Sequence, residues 1–246
     1  MKVSIVVYVL NERQGLQAIL PLIKKEWYDQ MVFIEGGSTD GTVEYLQENG
    51  YEVYRQVGYR WSGAYSEAFR RATGDIIVDF SPDGNSVAER IPELIAKIKE
   101  GYDMVTASRY AGGAKSEDDT ALTRFGNLLL TKTINIVFRA HATDSLVIFR
   151  AYRRSFLERS GILDAELGQC VTALLTIRCA RIKGKYTDIP GDEPNRLFGT
   201  SKLNVVVDGL RVVWLILKEF WLEMRKRAPV SRARSLAKDP PSDSRQ

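Results

Sequence analysis

Three polar stretches of the chain carry residue types that suit a nucleotide and a metal ion. Asn11 and Glu12 follow a first apolar run, a Gly- and Ser-rich stretch at 35–42 follows a second, and 79–85 ends a third. Glycine lets a backbone approach a ligand closely, and Ser, Thr and Asp cap the starts of helices. A carboxylate at a strand end can accept hydrogen bonds from a base or a ribose. The stretch 35–42 would equally make a tight strand-to-helix turn, so by itself it leaves both interpretations open.

Asp83 and Asn85 offer two hard oxygen ligands on one side of a turn. Such ligands suit Mg²⁺ or Mn²⁺ bridging two phosphates. A metal in this position would neutralise the charge on a leaving nucleoside diphosphate. A Pro-Asp-Gly turn without a metal has the same sequence, so this motif is also ambiguous when taken alone.

The runs between these stretches alternate between strand and helix patterns. Residues 3–9 are β-branched and almost continuously apolar, which is typical of a strand buried on both faces of a parallel sheet. The alternation predicts an α/β fold with a doubly wound, mostly parallel sheet, whose ligands bind beyond the carboxyl ends of the strands. Further strands are predicted at 31–34, 51–55, 75–79, 103–107, 146–150 and 186–189, helices at 15–27, 42–49, 63–73, 88–100, 122–138 and 167–183, and loops at 111–120 and 190–201.

The composition fits one large domain and excludes several functional classes. The net charge is +4, and residues 222–246 alone hold seven basic and three acidic residues, so the rest of the chain is balanced. A basic face for nucleic acid is therefore not expected. The two cysteines, Cys170 and Cys179, are too few for a disulfide framework or a cysteine metal cluster. The apolar start is too short for a signal peptide, and no run offers 18 uncharged apolar residues, so we expect a cytoplasmic location without a spanning helix.

Residues 203–226 show a helical period with a wide apolar face. Two Trp, one Phe and a following Arg-Lys-Arg predict a helix lying in a membrane interface beside anionic headgroups, which would make the protein peripheral on the cytoplasmic face. The same stripe would suit a helix docked on the protein's own core or between two copies of a homo-oligomer. We expect a domain at 1–203, this amphipathic helix at 204–227 and a disordered basic tail at 228–246. The apolar face comprises Val206, Leu210, Val213, Trp214, Leu217, Phe220, Trp221 and Met224, and the polar face comprises Asp208, Arg211, Lys218, Glu219, Glu223 and Lys226.

Six short motifs, taken in order, resemble those of family 2 glycosyltransferases with the GT-A fold, and among them the dolichyl-phosphate or polyprenyl-phosphate sugar synthases. The resemblance covers residues 3–203. The motifs are the opening strand with Asn11-Glu12, the acidic-Gly-Ser-Thr-Asp-Gly-Thr signature at 35–42, Ala72-Thr-Gly-Asp-Ile-Ile77, Ala107-Ser-Arg-Tyr110, Thr143-Asp144 with Ile148-Phe-Arg-Ala151, and Arg196 with Gly199-Thr-Ser-Lys-Leu203.

The resemblance implies a single inverting displacement at the anomeric carbon of a UDP- or GDP-sugar, with a polyprenyl or dolichyl phosphate as acceptor and Mg²⁺ or Mn²⁺ at Asp83 and Asn85. A phosphate acceptor is already an anion and needs no general base, but cations must hold the two anionic partners together. The expected cations are Arg109, Arg124, Arg196 and Lys202, while Asp144 would orient an arginine or serve as the base for a hydroxyl acceptor. The expected nucleotide-binding residues are Tyr8, Leu10, Asn11, Glu12, Glu35, Gly37, Ser38, Ser62, Ser81 and Pro82.

The chain departs from the family pattern at the metal motif and in the base pocket. Ser81 replaces the first aspartate of the usual Asp-X-Asp, and Asp79, two residues earlier, is a candidate to substitute for it. Tyr8 stands where the family usually has proline, and residues 61–63 replace a common Gly-Lys-Gly. Three other functions therefore stay open: transfer to a soluble or glycan hydroxyl, non-catalytic binding of a nucleotide sugar, and nucleotidyl transfer.

Overall fold

One mixed sheet organises the chain. The computed structural model describes residues 1–58, 60–197 and 204–227, with side chains through 225. Within these ranges seven strands form a sheet of order β3-β2-β1-β4-β6-β5-β7, and only β6 runs antiparallel, against both β4 and β5. The strand order reverses between β1 and β4, and such a switch point opens a crevice at the carboxyl ends of the strands. The mostly parallel sheet predicted from the sequence is confirmed.

The strands are β1 Val3–Val9, β2 Gln30–Glu35, β3 Glu52–Arg55, β4 Ile76–Phe80, β5 Met104–Ser108, β6 Arg150–Arg153 and β7 Tyr186–Pro190. The helices are α1 Arg13–Ile19, α2 Thr42–Glu48, α3 Arg60–Arg71, α4 Ile91–Lys99, α5 Ala121–Phe138, α6 Arg154–Ser160, α7 Val171–Arg181 and α8 Val205–Arg227. Short 3₁₀ turns lie at Leu20–Leu22, Lys25–Trp27 and Ala88–Arg90.

The sheet separates two hydrophobic cores. Alternate residues of β1 point to opposite faces, so Val6 packs in one core, while Ile5 and Val7 pack in the other. Helices α3, α5, α6, α7 and α8 cover the first core. Helices α1, α2 and α4 cover the second. Because every residue of β1 is buried, this strand holds the site's first loop on a rigid base.

Three predicted elements differ from the observed ones. The helix predicted at 15–27 is α-helical only as far as Ile19. Pro21 has no backbone N–H to donate to an α-helical hydrogen bond, and the chain goes on in 3₁₀ turns. The strand predicted at 146–150 begins only at Arg150, since the Asp144 carboxylate accepts hydrogen bonds from the backbone N–H groups of Leu146 and Val147 and holds them in a loop. The helix predicted at 167–183 begins at Val171, and helix α6 was not predicted.

Helix α8 turns its apolar face away from the protein. Val212, Leu215 and Ile216 contact the first core, and Glu219, on the predicted polar face, is 2% exposed. Its carboxylate pairs with Arg178 (3.0 Å) and Arg181 of α7. The predicted apolar face is exposed, including Leu210, Val213, Trp214, Leu217, Phe220, Trp221 and Met224. None of the helices in the described ranges combines the length and apolar content needed to cross a bilayer.

Gly15 allows α1 to approach the end of β4. A Cβ atom at this position would lie 2.2 Å from the carbonyl oxygen of Pro82, which is backbone and cannot easily move. We predict that Gly15→Ala lowers the free energy of unfolding by about 2 kcal/mol, as overpacking does. Urea unfolding of the purified protein measures this change.

Gly126 of α5 is the matched control, because a Cβ atom there would meet no atom within 4 Å. Gly126→Ala should leave the stability unchanged or raise it by roughly 0.5–1 kcal/mol, since alanine favours the helix interior. Equal effects of the two substitutions would contradict the role given to Gly15.

Candidate functional site

Two loops at the carboxyl ends of β1 and β2 are joined by hydrogen bonds. The backbone N–H of Asn11 donates to the Ser38 hydroxyl at 2.9 Å, and the Asn11 side chain accepts from the N–H of Thr39 at 2.8 Å. The N–H of Glu12 donates to the Thr42 hydroxyl at 3.0 Å. Asn11 has a φ of 60°, a left-handed conformation that asparagine tolerates. The structure therefore brings together Asn11, Glu12 and the 35–42 stretch, as the sequence predicted.

The carboxylate of Glu35 turns into its own loop. It is 2% exposed and accepts hydrogen bonds from the backbone N–H groups of Gly37 and Ser38. The guanidinium of Arg55 lies 3.7 Å from its other oxygen. These contacts shape the loop that follows β2. The expectation that this carboxylate accepts hydrogen bonds from a base or a ribose stays a prediction.

Asp79 lies in a buried cluster of tyrosines. Its carboxylate accepts hydrogen bonds from the hydroxyl groups of Tyr8 and Tyr152, each at 2.9 Å, and it is fully buried. Burial raises its pKa to about 7, against the lowering effect of these hydrogen bonds. The suggestion that Asp79 substitutes for the missing metal aspartate is therefore wrong. The side chain of Tyr8, a predicted nucleotide-binding residue, is 5% exposed and packs in the first core.

The segment that replaces Gly-Lys-Gly contacts the start of α7. The side chain of Gln169 accepts a hydrogen bond from the backbone N–H of Trp61 at 3.2 Å and donates to the Ser62 hydroxyl at 3.1 Å. The Trp61 ring meets the Tyr8 ring edge to face, with 5.6 Å between centroids. No local pattern in the sequence marks Gln169, because its partners are more than 100 residues away.

Asp83 is the carboxylate that follows β4, and it is almost buried. Arg196 lies 3.2 Å from its Oδ2, and the backbone N–H of Asn85 approaches its Oδ1 at 3.4 Å. Burial raises the pKa of Asp83, while Arg196, the Asn85 amide and the Ser81 hydroxyl lower it in part. Pro82 is buried between Ser81 and Asp83.

The donor set around Asp83 fits a loosely held divalent cation. Within the described ranges no group of three His, Cys, Asp or Glu side chains could hold a metal by itself. One carboxylate and the amide oxygen of Asn85 remain, and this is the kind of set that Mg²⁺ uses when phosphates and waters supply its other ligands. The residues therefore fit a metal that depends on the nucleotide more than on the protein.

Arg109 follows the carboxyl end of β5 and forms a bidentate ion pair there. Its Nε and Nη2 donate to the two oxygens of Asp144 at 2.6 and 3.0 Å. Its Nη1 lies 3.8 Å from Asp119 and 3.7 Å from Glu193. Burial alone would raise the pKa of Asp144, but Arg109 and the backbone hydrogen bond from Leu146 hold it below the usual value. Both oxygens of Asp144 are therefore engaged by Arg109, the arrangement expected of a carboxylate that orients an arginine.

The other predicted cations have different surroundings. Arg124 is exposed in the first turn of α5, and its guanidinium lies 5.9 Å from the centre of the Tyr110 ring. Arg196 donates to Asp118 at 3.1 Å besides its contact with Asp83. Lys202 and the motif at 199–203 lie outside the described residues. Sequence reasoning missed Asp118, Asp119 and Glu193, which lie in loops without a helix or strand pattern, and it noted Tyr110 only as part of the motif at 107–110.

Comparison with known structures defines the class of fold. Crystal structures of glucosyl-3-phosphoglycerate synthase from Mycobacterium tuberculosis resemble this chain. The complex with UDP gives a TM-score of 0.65 over 89% of this chain and 80% of that one, at 18% identity. The complex with Mg²⁺ and UDP gives 0.63 over 89% and 79%, at 20% identity. The fold is thus that of GT-A glycosyltransferases.

The chain belongs to the glycosyl transferase family 2, whose profile matches residues 4–161. It is 27% identical over 215 residues to the undecaprenyl-phosphate 4-deoxy-4-formamido-L-arabinose transferase of Enterobacter sp. (strain 638), covering 82% of this chain and 62% of that protein. It is also 27% identical over 210 residues to the glycosyltransferase AglJ of Haloferax volcanii, covering 84% and 68%. The chain spans about 62% of the length of the arabinose transferases that it matches.

The buried carboxyl of Asp79 should make stability depend on pH. Because burial raises its pKa to about 7, the stability that it contributes is fully present below the unfolded-state pKa and is lost as the pH rises through 7. We predict that the wild type, relative to Asp79→Asn, loses roughly 2–3 kcal/mol of unfolding free energy between pH 5 and pH 8. Urea unfolding at both pH values measures it.

Asp144→Asn is the control. The pKa of Asp144 is lowered, so its contribution is lost only as the pH falls from the unfolded-state pKa through the folded value, and the difference between the wild type and D144N should stay constant from pH 5 to pH 8. A wild-type-minus-D79N difference that stays flat from pH 5 to pH 8 would show that Asp79 is ionised throughout in its tyrosine cluster.

Proposed function

We propose that the protein transfers a sugar from a UDP- or GDP-sugar to a polyprenyl phosphate. The observation that carries this proposal is the convergence, beyond the carboxyl ends of β1, β2 and β4, of a glycine-containing loop, a buried aspartate and an arginine at the switch point of the sheet. A nucleoside would lie against the loops of Asn11 and residues 35–42. Its diphosphate would lie near Asp83 and Arg196.

The chemistry proposed is one displacement with inversion. A phosphate oxygen of the acceptor bonds to the anomeric carbon while the bond from that carbon to the diphosphate oxygen breaks, so the electron pair leaves with the nucleoside diphosphate. Mg²⁺ or Mn²⁺, held by Asp83 and Asn85, would supply positive charge to this leaving group. The phosphate acceptor needs no base, which agrees with the engagement of both Asp144 oxygens by Arg109.

Arg124 is the cation best suited to the acceptor phosphate. It lies in the first turn of an 18-residue helix, where the helix dipole also favours an anion. In the described structure it pairs with no carboxylate within salt-bridge distance, unlike Arg109 and Arg196. Leu122 and Phe125 beside it are 67% and 65% exposed, so an isoprenoid chain would meet apolar side chains next to the phosphate.

Helix α8 would hold the protein at a membrane surface. Its outward face is apolar, and Lys218 and Arg225 lie over the rings of Trp214 and Trp221, at 5.2 and 3.4 Å from the centroids. Aromatic rings with basic groups beside them suit the boundary between acyl chains and anionic headgroups. The buried Glu219 fixes which face of the helix is turned outward.

The transfer is tested with a panel of UDP- and GDP-sugars, Mn²⁺ and a short-chain polyprenyl phosphate. The wild type should form a lipid-linked sugar, and Asp83→Asn should lower kcat about 100-fold, because the charge opposite the leaving group is lost. Asp164→Asn, at an exposed site, is the control. Diphosphate release only with a sugar acceptor would favour a hydroxyl-directed transferase, and nucleotide binding without turnover would favour a binding protein.

The membrane surface is tested with vesicles that contain anionic lipid. The double variant Leu210→Glu, Leu217→Glu places charges on the outward face of α8 at two exposed positions and should bind at least about tenfold more weakly, given the apolar area lost. Leu22→Glu, in an exposed turn on the other layer, should bind like the wild type. Sedimentation with vesicles measures both. If the wild type does not bind vesicles but dimerises through this face of α8, a second copy of the chain covers the face instead of a membrane.

A further inference from the structure

Arg196 lies between two carboxylates that come from different parts of the chain. Its Nη1 is 3.2 Å from Oδ2 of Asp83, and its Nε donates to Oδ2 of Asp118 at 3.1 Å. The side chains of Asp83 and Arg196 are 7% and 25% exposed, so solvent screens this contact only in part. The fork of a guanidinium can serve two carboxylates at once, which an ammonium group does less well.

The backbone around Arg196 fixes the position of its side chain. The N–H of Leu197 donates to the carbonyl of Asp83 at 3.1 Å, and a Cβ atom on Gly84 would lie 2.8 Å from the Leu197 side chain. On the other side, Ser116 bridges to Glu193, and the N–H of Lys115 donates to Asp192 at 2.9 Å. Arg196 is therefore held at Asp83 by contacts on both sides of it.

Asp83 is also the carboxylate assigned above to a divalent cation, so this inference rests on the proposed function. Two cations at one carboxylate repel each other, and the repulsion is strong where burial limits the screening. In this chain Ser81 stands at the position of a second carboxylate, and Asp79 is enclosed by tyrosines. Among the described residues Asp83 is therefore the carboxylate assigned to the cation, beside the amide oxygen of Asn85, and the affinity for the cation depends on how available Asp83 is.

We propose that Arg196 competes with the divalent cation for Asp83, and that Asp118 is the positioning residue that retains Arg196 beside the site when the cation takes its place. The competition makes the protein bind the cation weakly by itself. When the cation displaces Arg196 from Asp83, the Nη1 group of Arg196 can donate a hydrogen bond to a diphosphate oxygen instead. Arg196 and Asp118 thus set the cation affinity, although neither is a ligand of the cation.

The test is binding of Mn²⁺ alone, with free Mn²⁺ counted by its electron paramagnetic resonance signal. Arg196→Gln should bind Mn²⁺ about fivefold more tightly than the wild type, the factor expected for removing a half-screened ion pair. Arg196→Lys should lie between the two, because lysine keeps the charge but not the fork. Arg90→Gln, which removes an arginine from the Arg90–Glu93 pair at 2.9 Å, is the matched control and should bind like the wild type.

A double-mutant cycle separates two effects of Asp118 on Mn²⁺ binding: its contact with Arg196, and the direct attraction between its negative charge and the cation. Among the described residues, Asp118→Asn leaves Asp83 as the carboxylate within salt-bridge distance of Arg196, so it should weaken Mn²⁺ binding. The same change in the Arg196→Gln background should weaken it less, because only the lost charge acts there. Equal effects in the two backgrounds would overturn the positioning role.

Two results would overturn the competition: Mn²⁺ affinity in Arg196→Gln that is equal to or lower than that of the wild type, or Mn²⁺ binding that survives Asp83→Asn. Failure of the proposed function is a different result. If the protein transfers no sugar but Arg196→Gln binds Mn²⁺ more tightly, the proposed transferase function is wrong and the competition stands. If the protein transfers sugar but Arg196→Gln binds Mn²⁺ like the wild type, only the competition is wrong.

Discussion

The bidentate pair between Arg109 and Asp144 is the interaction on which the cleft depends. It joins the end of β5 to the loop before β6, and the same carboxylate accepts backbone hydrogen bonds that start this loop. The fully buried Arg150 continues the connection, donating to carbonyls of Val147 in that loop and Thr172 at the start of α7. Breaking a buried, hydrogen-bonded pair would leave a charge without a partner, so neither residue is free to change alone.

The three arginines predicted to hold phosphates differ in their partners. The charge of Arg109 is committed to a carboxylate, whereas Arg196 shares its charge between two partly buried ones and Arg124 is exposed at a helix start. The sequence pattern treats all three as equivalent cations near a phosphate. Under the proposed function, these different surroundings would give Arg109 a structural role, let Arg196 exchange its partner and leave Arg124 accessible to a phosphate.

The sheet and the order of the loops could be predicted from the sequence because they depend on local signals. Apolar runs such as Val3–Val9 and the glycine-rich stretch after β2 have patterns that one chain displays by itself. The contacts of Asp79 with Tyr8 and Tyr152 could not be predicted, since they join residues more than 70 positions apart. The same holds for α8, whose periodicity defines a stripe but not its direction. The ion pairs of Glu219 with α7 determine that direction.

Those ion pairs also have a mechanical consequence. Helix α8 is packed on the first core and paired with α7 through a buried carboxylate, so a membrane contact made by its outer face would hold the site at a set height and tilt above the lipid. The distance from the bilayer at which the enzyme acts would then be set by its shape. Acceptors would be selected by the distance between their reactive oxygen and the bilayer. This selection would come before any recognition of their chemical structure by contacts in the site.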